Sequence, residues 1–99
     1  MAFRVTEIIN ANTIKISPRW AWEGYAGEFI KIKNFNTTSV DVSNFIKTKL
    51  SNLLLNKEVE LKNPTNATKG ANNSDEITVN VYLNGVDISV YFPEMRSVA

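Results

Sequence analysis

Residues 41–56, DVSNFIKTKLSNLLLN, decide the fold of this chain. Apolar residues recur there at spacings of three and four, which places them on one stripe of an α-helix. Asp41 or Ser43 is predicted to cap the start of this helix, and Asn56 is predicted to end it in a left-handed conformation. The stripe comprises Val42, Phe45, Ile46, Leu50, Leu53 and Leu54, and all of these except Val42 are predicted to be core residues.

On both sides of the helix the chain alternates apolar and polar residues, which is typical of half-buried β-strands. Ile30 and Ile32 share one face of the clearest strand, and Lys31 and Lys33 share the other. Strands are predicted at 3–9, 14–16, 28–35, 58–61, 77–83 and 86–92.

The connections between these strands are predicted from glycine, proline and asparagine. Asn10–Thr13 and Asn84-Gly85 are typical of tight hairpin turns, because asparagine and glycine tolerate left-handed backbone. Residues 18–27 contain Pro18 and two glycines and are predicted to form a long hairpin connection. Residues 63–75 are rich in asparagine and are predicted to form a flexible loop.

A single amphipathic helix cannot bury its apolar stripe alone, so it must pack against the strands. Three strands, one helix and three short strands predict a mainly β (α+β) domain that spans residues 1–99. The architecture that fits best is a small five-stranded Greek-key barrel closed by the helix, which is the OB-fold. An open antiparallel sheet with one helix on its face is the alternative.

The composition excludes several kinds of chemistry. The 99 residues include no cysteine and no histidine, so disulfides, zinc on thiolates and histidine-based catalysis are excluded. The net charge of +1 predicts no strong overall attraction to nucleic acid or to membranes. No apolar stretch approaches a membrane span and no leader pattern is seen, which predicts a cytoplasmic location. No cofactor is predicted.

Four segments resemble the staphylococcal-nuclease family of OB barrels. Residues 5–16 are similar to the family's opening hairpin, and residues 29–38 to the strand and loop that follow. Residues 43–61 are similar to its first helix and the next strand, and residues 77–89 to its Asp-Gly hairpin. The resemblance covers most of residues 3–92 and implies a nuclease-like barrel.

The same resemblance implies that the catalytic groups are missing. The family holds calcium with two aspartates, and the matching positions here are Asn12 and Asn36, which carry neutral amides. The general base matches Ser39, which cannot act as a base near neutral pH. The two phosphate-binding arginines match Lys31 and Glu76. The resemblance therefore implies a degenerate site without a metal, and the chain is predicted not to be an enzyme.

One set of aromatic and basic residues is the candidate binding site. Interleaved aromatic rings and cations on an OB barrel can stack bases and neutralise phosphates. The set comprises Lys15, Arg19, Trp20, Trp22, Tyr25, Lys31 and Lys33. The alternative interpretation is that the tryptophans pack as a lid on the barrel end and that the lysines are an ordinary solvated face.

These observations predict a non-catalytic binding module for single-stranded nucleic acid or for a protein partner. Exposed tryptophan and tyrosine are also enriched in protein interfaces, which keeps the second partner open. One alternative is a divergent metal-dependent nuclease that uses other carboxylates, such as Glu28 or Asp41. Another is a structural domain in which the tryptophan-rich segment makes a contact between copies. The oligomeric state is left open.

Overall fold

The structure is a computed structural model that describes residues 2–33, 35, 40–70 and 74–93. Within the described residues, strands and helices follow one another in this order along the chain. They are β1 (Phe3–Ile8), β2 (Thr13–Trp22), β3 (Tyr25–Ile32), α1 (Val40–Leu54), β4 (Glu58–Thr68), β5 (Glu76–Leu83), β6 (Val86–Asp87) and a 3-10 helix (Ile88–Tyr91).

Five of the strands close a barrel. β1 pairs antiparallel with both β2 and β4, β2 pairs with β3, and β4 pairs with β5. The ring is closed by a parallel pairing of β3 with β5, from Phe29↔Glu76 to Ile32↔Val79. This strand order, with the helix between β3 and β4, is that of an OB-like barrel, so the predicted barrel is confirmed. The alternative of an open sheet is wrong.

The core lies inside the barrel, where strand alternation directs every second side chain. β2 and β3 contribute isoleucines, and β5 contributes Ile77, Val79 and Val81. α1 covers one end of the barrel with three side chains spaced four residues apart, Ile46, Leu50 and Leu54. The rings of Phe35 and Phe92 meet edge to face, with 5.0 Å between their centroids.

The helix differs from its prediction at its start and on one side of its stripe. It begins at Val40, so Asp41 lies in its first turn and Ser43 lies inside it, and neither is the N-cap. Phe45 is 58% exposed, so its prediction as a core residue is wrong. Ile46, Leu50 and Leu54, the row spaced by four residues, are fully buried, and Leu53 is partly buried against the core. Asn56 has φ 65°, which confirms the predicted left-handed end.

The connection predicted at 18–27 is instead strand. β2 runs to Trp22 and β3 starts at Tyr25, and the two residues between them have positive φ, 47° at Glu23 and 85° at Gly24. Two left-handed residues suit the tight turns that join antiparallel strands. Pro18, which has no N–H to donate to the ladder, lies within a register shift between Lys15 and Trp20.

Part of the loop predicted at 63–75 is also strand. β4 continues to Thr68 through a register shift between Lys62 and Asn66. Asn63 adopts φ 55° within this shift, so one left-handed residue accommodates the irregular backbone before Pro64. Residues 71–73 lie outside the described part of the chain. Ser74 and Asp75, which were predicted to be part of the flexible loop, are buried.

Candidate binding groove

The predicted aromatic residues lie on the β2–β3 hairpin, but they are not equally accessible. Trp20 is only 3% exposed, and its indole Nε1 donates a hydrogen bond to the carbonyl oxygen of Phe29 at 2.9 Å. Its ring therefore offers no surface on which a base could stack, and the lid interpretation holds for this residue. Trp22 and Tyr25 are cross-strand partners and are half-buried.

A groove of about 470 Å³ lies beside this hairpin, on the outer face of β2 and β3. Lys15 and Phe29 are directly opposite each other on the two strands, and both face away from the buried Ile14–Ile30 pair. The described residues of the β4–β5 connection that line it, Lys69, Gly70 and Ser74, form the other wall. The full lining is Lys15, Glu28, Phe29, Thr68, Lys69, Gly70, Ser74 and Glu76.

The charges that line the groove are only loosely paired. Lys15 Nζ lies 3.6 Å from a carboxylate oxygen of Glu28, and both side chains are more than a third exposed. Such exposed pairs contribute about 0–1 kcal/mol, so a ligand phosphate can compete for the lysine. Lys69 Nζ lies 5.1 Å from the centre of the Tyr25 ring and 3.9 Å from an oxygen of Asp75.

The second wall is attached to β3 through Asp75. Its carboxylate accepts hydrogen bonds from the backbone N–H of Ala26 at 3.1 Å and of Gly70 at 3.2 Å. Its own N–H donates to the Ala26 carbonyl at 3.0 Å. The Ala26 hydrogen bond, then the Gly70 hydrogen bond and the charges of Lys69 and Arg19, lower the pKa of Asp75 against the opposing effect of burial.

Ser74 and Gly27 also bring the Asp75 segment close to β3. The hydroxyl of Ser74 accepts a hydrogen bond from the N–H of Glu28 at 3.1 Å. A Cβ on Gly27 would overlap the backbone nitrogen and carbonyl oxygen of Asp75. The absence of a side chain at Gly27 therefore lets the Asp75 backbone lie directly against β3.

The remaining predicted cations lie at different places. Lys31 is exposed at the next outward position of β3 after Phe29 and is paired with Thr13. Lys33 Nζ donates to the carbonyl oxygen of Asn63 at 2.9 Å, which directs it towards β4. Arg19 is exposed on β2. The structure therefore places Lys15 in the groove and Lys31 next to it, and it directs Lys33 elsewhere.

Three of the five positions predicted to match a nuclease site, Asn12, Lys31 and Glu76, lie within the described residues. The Asn12 side-chain oxygen accepts a hydrogen bond from the Thr13 hydroxyl at 2.9 Å, and its carbonyl accepts one from the Ile32 N–H at 2.8 Å. Glu76 borders the groove opposite Phe29. Asn36 and Ser39 lie outside the described residues. Among residues 2–33, 35, 40–70 and 74–93, no three His, Cys, Asp or Glu side chains are grouped so that they could hold a metal ion.

The sequence interpretation missed Phe29 and the Ser74–Asp75 pair. Phe29 has the same strand parity as Lys31 and Lys33, so the alternation that placed those lysines outward also placed this ring outward. The Ser74–Asp75 pair has no such signal, because its partners are backbone groups nearly 50 residues away in the sequence.

Comparison of the chain with protein-family models, curated proteins and solved structures gives no match. The OB-like architecture is seen in the strand order, the parallel pairing of β3 with β5 and the position of α1 between β3 and β4. Within the described residues, no helix has the length and apolar character needed to cross a membrane. The cytoplasmic location stays a prediction.

Proposed function

We propose that this chain is a non-catalytic module that binds single-stranded nucleic acid in the groove on the β2–β3 face. The observation that carries the proposal is Phe29, a half-buried aromatic residue on the outward side of β3 that lines the groove, with Lys15 across the ladder and Lys31 at the next outward position. In OB-fold proteins this face and the β4–β5 loop bind oligonucleotides and oligosaccharides.

The chemistry of these side chains suits an unpaired strand. Every base has an aromatic face, so a ring such as that of Phe29 can stack with a base of any sequence. Lys15 and Lys69 enter the groove from opposite walls and can each meet a phosphate. The carboxylates of Glu28 and Glu76 balance the charges of Lys15 and Lys69 in the groove lining, so we expect modest affinity whose salt dependence corresponds to about two phosphate contacts.

A degenerate staphylococcal-nuclease-like origin is the finer part of this proposal. It is supported by the order of the barrel strands around a single helix and by the amide of Asn12 at the position where that family carries a carboxylate. A nuclease that uses Asp41 is disfavoured, because Asp41 lies on α1 and does not line the groove.

The proposal is tested by fluorescence anisotropy with short labelled oligothymidylate and oligouridylate at low salt. Phe29→Ala should weaken binding about 5- to 150-fold, which corresponds to about 1–3 kcal/mol for one base stacked on an aromatic side chain. Lys15→Gln should weaken binding less and should reduce the slope of log affinity against log salt. Phe45→Ala is the matched control, because that ring is exposed on α1 away from the groove.

Three results would contradict the proposal. The first is no binding of either oligonucleotide at low salt, which would favour a protein partner for the same groove. The second is equal weakening by Phe29→Ala and Phe45→Ala, which would place the contact elsewhere. The third is sustained cleavage of the oligonucleotide with magnesium or calcium that is lost in Glu28→Ala, which would establish a nuclease.

A further inference from the structure

One charged group of the groove, the carboxylate of Glu76, is not suited to meeting a phosphate. Glu76 is half-buried at the start of β5 and lines the groove. Among the described residues, no cation lies within ion-pair distance of its carboxylate, whereas Glu28, the other acid of the groove, pairs with Lys15. A ligand that covers Glu76 must therefore offer it hydrogen-bond donors, because a carboxylate removed from water needs partners.

Glu76 and Lys15 lie on opposite sides of Phe29. Lys15 is directly across the β2–β3 ladder from Phe29, and Glu76 is directly across the β3–β5 ladder from it. Residues opposite each other in a sheet point to the same face, and neighbouring strands lie about 4.8 Å apart. A flat base stacked on the Phe29 ring therefore has a cation at one edge and a carboxylate at the other.

This arrangement orients a nucleotide. Its phosphate is attracted to Lys15, whose pairing with Glu28 at 3.6 Å is exposed and weak. The sugar and the phosphate of a nucleotide are attached on the side of the base away from its Watson–Crick edge. When the phosphate lies at Lys15, the Watson–Crick edge therefore lies at the carboxylate of Glu76.

Guanine is the base whose Watson–Crick edge fits a carboxylate best. Its N1–H and N2–H₂ groups are two parallel donors, and a carboxylate has two oxygens that accept such a pair. Cytosine and adenine each offer one amino group beside a ring nitrogen that is an acceptor. Thymine and uracil offer one N–H between two carbonyl oxygens, and both of these oxygens are repelled by the carboxylate.

We propose that Glu76 selects guanine at the position where a base of the single strand stacks on Phe29, by accepting hydrogen bonds from N1–H and N2–H₂. This inference rests on the proposed nucleic-acid function and adds a base preference to it. The two acids of the groove then have different roles. Glu28 weakens the attraction of Lys15 for phosphate, and Glu76 recognises the base.

The probe is a labelled hexathymidylate with one central guanine, compared with hexathymidylate itself by fluorescence anisotropy at low salt. We expect the parent chain to bind the strand with guanine about 5- to 150-fold more tightly. Inosine at the same position lacks the N2 amino group and should weaken binding about 2- to 12-fold, as expected for one hydrogen bond. The matched control is 7-deazaguanine, which keeps the Watson–Crick edge and should bind like guanine.

Glu76→Gln tests the protein side of the same contact. Glutamine keeps the size of the side chain but replaces one acceptor oxygen by an N–H₂ group. We expect this variant to bind the guanine strand more weakly than the parent chain does. It should bind hexathymidylate at least as tightly, because a negative charge has left the groove. Glu28→Gln, which removes the same charge beside Lys15, is the matched control and should strengthen binding of both strands alike.

The outcomes separate this inference from the proposed function. Equal binding of the two strands by the parent chain would overturn the guanine preference and leave the nucleic-acid function standing, whereas no binding of either strand would overturn both. The inference is also overturned if inosine binds like guanine, which needs no variant to fold, or if Glu76→Gln changes both affinities by the same factor. Free guanosine monophosphate that competes as well as the strand would assign the site to a nucleotide and overturn the proposed single-stranded ligand.

Discussion

The two ends of the barrel are closed in different ways. At one end, α1 inserts Ile46, Leu50 and Leu54, and none of these side chains has any exposed surface. At the other end, Trp20 and Trp22 come from a strand that extends past its neighbour β1, and a cavity of about 150 Å³ stays open beside them.

The difference follows from the secondary structure at each end. A helix satisfies its own backbone hydrogen bonds, so it can close an end with side chains alone. Strands that continue past the end of a ladder present N–H and C=O groups to solvent or to a partner. We therefore expect the helical end to supply stability and the strand end, with its adjoining groove, to supply recognition.

The largest effect is expected at the helical end. Leu50→Ala should destabilise the chain by about 2–5 kcal/mol, because it removes a fully buried side chain and leaves a cavity. Phe45→Ala, on the exposed side of the same helix, should change stability by less than about 0.5 kcal/mol. Urea unfolding followed by circular dichroism measures both. Similar losses for the two variants would mean that α1 packs through a different face.

How far the sequence predicts each end depends on how local the signal is. The helical end could be predicted, because side chains at spacings of three and four specify one helix face within 15 residues. The strand end could not be predicted, because Pro18 and the Asn63-Pro64 pair are typical of loops. Their irregular backbones are absorbed by register shifts inside β2 and β4, and only the pairing of distant strands determines where those shifts fall.

The candidate site, too, could be predicted from the sequence only where the signal is local. Strand alternation predicted that Lys15 and Lys31 face outwards, and the same rule would have found Phe29. Alternation does not predict which outward residues share a groove, because the second wall comes from the β4–β5 connection. Nor does it predict the burial of Trp20, whose position depends on the register shift that precedes it.

The second largest effect on stability is expected at Gly27, where the Asp75 backbone packs against β3. Gly27 is the cross-strand partner of Trp20, and Gly27→Ala should destabilise the chain by about 1–3 kcal/mol, because the new Cβ would overlap the Asp75 backbone. A loss of stability would be diagnostic, because replacing glycine by alanine in an unconstrained strand raises the free energy of unfolding by about 0.5–1 kcal/mol. Unfolding in urea measures the change, and a stabilised variant would show that the connection is not held against β3.

The smallest effect at neutral pH is expected for Asp75→Asn at the same contact. The amide keeps one oxygen that can accept from Ala26 or Gly70 but places an N–H₂ group against the other donor. The variant should therefore be less stable than the parent chain at pH 7 but should lose less than Gly27→Ala does. Serine at position 74 is unchanged in both variants, so its hydrogen bond to Glu28 is a constant contribution.

The pH dependence of the unfolding free energy separates the effect of the negative charge of Asp75 from the effect of its hydrogen-bonding geometry. Because hydrogen bonds from Ala26 and Gly70 and the nearby Lys69 and Arg19 charges lower its pKa in the folded chain, ionised Asp75 stabilises the fold above its ordinary pKa of about 3.9. That stabilisation is lost as the pH falls from about 4 through the lower folded pKa. The difference in unfolding free energy between the parent chain and Asp75→Asn should therefore shrink in that interval, when urea titrations are repeated from pH 7 downwards. If the difference in unfolding free energy stays constant with pH, Asp75 stabilises the fold through its hydrogen-bonding geometry and not through its charge. The attachment of the groove wall would then not depend on charge.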